Sequence, residues 1–144
     1  MAATGKVFPM FADSLAQKKV DIDSDTLKVA LFSAYTYAAT HQYMTAVKAA
    51  GTESSSAVYT AGGATLTSVT WTRSGDVYTL DAADITWDAT VGTNAAFAVI
   101  YDSTPGSDAT NPVIGYVNLD GAGGIVSTKG ITWNASGIVA HTAA

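Results

Sequence analysis

Short apolar segments recur along this chain, and turn-forming residues separate them. Leu27, Val29 and Leu31 alternate onto one face, as a strand with one buried side requires. Residues 66–71 and 77–80 alternate in the same way. Between them Arg73-Ser74-Gly75-Asp76 reads as the turn of a hairpin. Residues 95–101 are nearly all apolar, which suits a strand buried on both faces. Further strands are expected at 113–119, 131–133 and 138–140. A polar loop with Pro105-Gly106, a Gly-rich turn at 121–124 and a turn at 134–137 connect them. A chain punctuated this often has no room for long helices. The expected fold is mainly β: an antiparallel β-sandwich or barrel-like domain with an N-terminal helix and one short additional helix.

The first helix is expected within 5–20, where Phe8, Phe11 and Leu15 recur at helical spacing and Pro9 sits in the first turn. The second is expected within 40–50. Thr40 would cap it, Tyr43, Met44 and Val47 would line it, and Gly51 would end it. Residues 51–57 read as a surface loop. At 144 residues the chain is expected to form one domain, with the helix and its connection at 1–24 and the sandwich at 25–144.

Charge is thin, at 13% of residues, where a globular chain averages about 25%. Eleven of the twelve acids are Asp, which favours turns, and Glu53 stands alone; there are also 20 Thr, which favours strands. The net charge of −5, with one Arg (Arg73), argues against nucleic acid, because phosphate binding needs clustered cations. Lys18-Lys19 is the nearest approach to a cluster and reads as a solvated helix face. No basic amphipathic helix or long apolar run argues for a membrane. The N-terminus lacks the apolar stretch of a secretory signal. The absence of cysteine excludes thiolate metal sites and cysteine nucleophiles.

Chemical constellations are equally sparse. Asp21, Asp23 and Asp25 alternate as in a calcium loop. Thr26 and Phe32, however, occupy the positions where an EF-hand needs Gly and a bidentate Glu. A looser calcium site and a turn with capping acids remain the two readings. His41 and His141 have no His at ligand spacing and read as surface residues. No Gly-x-Ser-x-Gly elbow, dinucleotide loop or Walker loop occurs. We expect no catalytic residues, no metal and no cofactor. Trp71, Trp87 and Trp133 each follow a β-branched residue and Thr, which fits core tryptophans of a sandwich. An exposed aromatic platform for sugars and a subunit interface are the alternatives.

The ordered segments 25–32, 59–66, 80–87, 97–102, 112–117 and 131–133 together resemble a family of small structural proteins of tailed bacteriophages. These are minor capsid, head decoration or tail-associated proteins. The resemblance covers about four fifths of the chain. It implies a virion component made in the host cytoplasm, without catalysis. Its expected partners are the major capsid protein or other virion proteins, and its expected form is a homo-oligomer. Lattice symmetry favours a trimer. The alternatives are a tail or neck component and a carbohydrate-binding β-sandwich. The N-terminal helix (Phe8, Phe11) and the segment with Tyr35, Tyr37, His41 and Tyr43 are the candidate contact surface, since Tyr offers area with a polar tip. The competing reading is that these tyrosines only cover the edge of the core.

Overall fold

A computed structural model describes residues 2–3, 5–87, 93–119, 126–128, 130–133 and 137–142. In chain order the elements begin with β1 (Ala2–Ala3), β2 (Gly5–Val7), α1 (Met10–Ala16), β3 (Leu27–Tyr35) and α2 (Met44–Ala49). Then come β4 (Gly51–Glu53), β5 (Ala64–Thr65), β6 (Thr70–Ser74), β7 (Val77–Asp81) and β8 (Ile85–Thr86). The last are β9 (Thr93–Ala95), β10 (Phe97–Asp102), β11 (Val113–Asn118), β12 (Val126–Thr128), β13 (Gly130–Trp133) and β14 (Val139–Thr142). The protein is mainly β, with two short helices among the described residues and largely antiparallel sheets, as its punctuation requires.

The main sheet runs β2-β11-β10-β3-β4, with β5 also pairing β3. A second sheet runs β14-β7-β6, and smaller ones join β1-β13-β8 and β12-β9. The β1–β13 pair is parallel. Gly5 donates its N–H to the Ile138 carbonyl at 2.6 Å, tying the main sheet to the chain entering β14.

The period-two pattern of β3 and β10 divides the interior. Leu27, Val29 and Leu31, with Ala98 and Ile100, face one cluster that includes Phe11, Leu80, Ile138 and Trp133. Ala30 and Phe32, with Val99 and Tyr101, face a second cluster closed by Phe8, Met44 and Val47. Both central strands are therefore covered on both faces, by the second sheet and α1 on one side and by α2 on the other.

The N-terminal helix is shorter than its pattern. It occupies Met10–Ala16, while Gly5–Val7 pairs with Gly115, Tyr116 and Val117 of β11. Ladder bonds to an existing strand win over weak local periodicity here, because a seven-residue helix has little stability of its own. Leu15 is 37% exposed, so the expected single apolar face is incomplete. The expected loop at 51–57 begins as β4, which pairs with Phe32, Ala34 and Tyr35. Ser68 at φ +53 breaks the expected strand at 66–71, and the ladder starts at Thr70. The second helix lies where expected, but Tyr43 rather than Thr40 precedes it, without a side-chain cap. The expected turn at 121–124 and most of that at 134–137 lie outside the described residues.

Candidate interaction surface

The six residues expected to form a contact surface divide by burial. Phe8, Phe11, Tyr35 and His41 are buried within the chain and belong to its interior. Tyr43 is half-buried, and Tyr37 is 41% exposed. Phe8 and Phe11 face different clusters, because Phe8 precedes the helix instead of lying on its face. His41 is not the surface residue that its isolation in the sequence indicated.

Tyr35 organises an aromatic cluster. Phe8, Phe97 and Tyr116 meet its ring edge-on at 6.0–6.4 Å between centroids. Its hydroxyl lies 2.6 Å from His41 Nδ1. Burial, with Tyr116 and Tyr37 nearby, raises the Tyr35 pKa, and burial lowers that of His41, so the pair is neutral near pH 7. Tyr37 stacks on Tyr116 at 5.0 Å and carries the cluster to the surface.

The tryptophans do not form an exposed platform. Trp133 is buried, with Nε1 donating to the Ala83 carbonyl at 3.1 Å. Trp87 lies half-buried against Tyr59. Trp71 stacks on Tyr78 at 5.7 Å, meets Phe11 edge-on, and lines an open groove of about 420 Å³ with Leu15, Lys18, Asp21 and Asp23. A second groove, of about 430 Å³, is lined by Lys18, Lys19, Tyr43 and Pro105, with the Lys19 ammonium over the Tyr43 ring.

Two carboxylates that the sequence left without a role prove central. Glu53 Oε1 accepts the Tyr59 hydroxyl at 2.8 Å and the Gly62 N–H at 2.6 Å, while Oε2 lies 3.5 Å from Lys48 Nζ. Lys48 also binds Asp108 at 2.8 Å. Burial alone would lower the Lys48 pKa, but Asp108 and Glu53 outweigh it and hold the pKa above its usual value. The Tyr59 hydroxyl in turn accepts the Leu31 N–H at 3.0 Å. Gly63, at φ +85, follows in this loop; a Cβ there would lie 1.8 Å from the Val29 carbonyl. A lone Glu two residues after a glycine was the available signal.

Asp102 is the second. Its Oδ1 accepts the Thr104 N–H at 2.8 Å, but Oδ2 is fully buried and has no hydrogen-bond partner. Burial and the neighbouring Asp25 push its pKa up to about 6, against the lowering effect of Thr104. Asp25 Oδ2 accepts the Asp21 N–H, and Asp21 Oδ1 accepts that of Asp23, so these acids cap their own turn. Among the described residues no three His, Asp or Glu side chains converge as metal ligands. None of the helices there is long and apolar enough to cross a membrane. No family model matches the chain, and neither the curated proteins nor the solved structures give a match.

Proposed function

We propose that the protein is a structural component of a tailed bacteriophage, a decoration or minor capsid protein that binds the outer capsid lattice and reinforces it without catalysis. The reading draws on the resemblance of the strand segments to that family. The observation that carries it is the chemistry of the exposed surface. Thr36, Ala39, Thr40, Thr45, Thr52, Thr70 and Thr72 stand exposed in place of the Lys and Glu usual at such positions. Such side chains lose little hydration when a neighbour covers them, and charge is depleted in the cores of protein interfaces. Tyr37, next to Thr36 and stacked on Tyr116, offers an aromatic anchor.

The mechanism is burial across many weak contacts. A homo-oligomer touching several lattice subunits gains avidity by effective concentration, so each contact can stay small. Cryo-electron microscopy of particles that carry the chain tests this. Density at repeated sites on the outer lattice is expected. Absence from every lattice site, with density only at the tail or neck, overturns it.

A further inference from the structure

We infer that two copies of the chain pair edge to edge through β6, about a two-fold axis at Thr72, each delivering Arg73 to the Trp71 groove of the other. This deepens the homo-oligomer part of the proposed function and concerns the free protein, without a capsid.

Among the described residues the outer edge of β6 is open. β6 pairs with β7 in unbroken register from Thr70↔Asp81 to Ser74↔Val77, and no other described strand pairs with it. Exposed edges are normally blunted by charged side chains, Pro or a bulge; Thr70-Trp71-Thr72-Arg73-Ser74 has neither Pro nor bulge, and its single charge is Arg73. The turn fixes which groups are free. Gly75, at φ +59, opens a two-residue connection of the kind that takes Gly first. In such a hairpin the pair beside the turn, Ser74 and Val77, exchanges both hydrogen bonds, and bonded and non-bonded pairs then alternate. Thr70, Thr72 and Ser74 direct their backbone groups to β7. Trp71 and Arg73 direct theirs outward.

The sequence of this edge complements itself. Antiparallel pairing about Thr72 sets Trp71 opposite the partner's Arg73, and Arg73 opposite the partner's Trp71. These are the outward-bonding positions, and the two pairs give about four backbone hydrogen bonds. Thr70 meets the partner's Ser74, a hydroxyl pair, and Thr72 meets the partner's Thr72. Residues 71 and 73 share a face, so each guanidinium reaches the partner's Trp71 ring, an attractive cation–aromatic pair. The same ring lines the groove holding Asp21 and Asp23. Neither acid is ion-paired with a described cation, so the only Arg of the chain reaches a groove with acids to meet it. No like charges stand opposite each other along the seam. On the main sheet the β4 edge is three residues long and carries Glu53, already engaged by Lys48.

The lack of cysteine gives a direct test. Thr72→Cys places two thiols at a non-bonded pair with Cα atoms about 4.5 Å apart, within the range a disulfide spans. Sedimentation equilibrium of the isolated protein is expected to show a dimer, and mild oxidation of Thr72→Cys to link it far faster than the exposed control Thr36→Cys. Arg73→Glu is expected to weaken the dimer at least about tenfold with an unchanged far-ultraviolet spectrum. A monomer at ~100 µM (~1.5 mg/ml), a trimer, or a dimer in which Thr72→Cys links no faster than the control overturns the proposal.

Discussion

Glu53 and Asp102 are both carboxylates at the margins of the main sheet, and they stand in opposite electrostatic conditions. Glu53 is met by a hydroxyl, a backbone N–H and an ammonium. Asp102 accepts one N–H on Oδ1, has no hydrogen-bond partner on Oδ2, and has the Asp25 carboxylate as a neighbour. What an acid in the fold does to stability depends on what answers its charge, because removal from water costs free energy in either case. The first acts as a tie between α2, the 59–63 loop and β3. The second is a site where the fold favours a bound proton.

The largest expected effect is that of Glu53→Ala, which leaves the Tyr59 hydroxyl and the Gly62 N–H without their acceptor and Lys48 with Asp108 alone. Loss of about 3 kcal/mol in urea unfolding is expected; a loss below about 0.5 kcal/mol would break the contrast. Next comes the pH dependence of Asp102. Its folded pKa, about 6, is raised above the ordinary 3.8, so the folded state binds the proton more tightly. This contribution is complete below about pH 4 and is lost as pH rises through about 6, spanning about 2 kcal/mol. His41 works the other way: its lowered pKa makes the unfolded state take up protons first, so its contribution falls as pH drops through 6.5. The difference in unfolding free energy between the wild type and Asp102→Asn, followed from about pH 4 to 7, isolates the Asp102 slope. A flat difference would remove the proton from the account.

Lys48→Met tests the tie from its cationic side. The Lys48 side chain is a third exposed, so screening limits the loss to about 1 kcal/mol by the same assay. The smallest change is expected for Asp25→Asn. It removes the neighbouring charge but not the burial that dominates the Asp102 shift. The pH-dependent span should shrink by about 0.5 kcal/mol and persist; its disappearance would make Asp25, not burial, the cause.

Part of the fold was legible because a buried strand must carry apolar side chains, alternating where one face is covered and continuous where both are. β3 and β7 lie where alternation placed them and β10 where its apolar run placed it; the hairpin turns at Gly75, but β6 spans Thr70–Ser74 instead of 66–71. β2 and β4 were hidden for a shared reason. Gly-Lys-Val and Gly-Thr-Glu are too short and polar to alternate visibly, and they become strands only because β11 and β3 offer ladders. The candidate surface was less legible. Tyr and His spacing does not say which ring turns inward, and the second cluster takes Phe8 and Tyr35 while Tyr37, two residues on, reaches solvent. Apart from Thr104, the partners of Glu53 and Asp102 lie 5 to 77 residues away, which no local pattern encodes.

The order of the main sheet also sets a timetable. Gly5–Val7 must wait for Gly115–Val117, and Leu27–Phe32 for Phe97–Asp102, so the central ladders close only after most of the chain is present. The β6–β7 hairpin needs only its own twelve residues and can form within about 1–10 µs. During synthesis its open edge is presented long before the core that backs Trp71 exists. The concentration at which nascent chains meet then decides whether that edge finds a folded twin or an unfinished one.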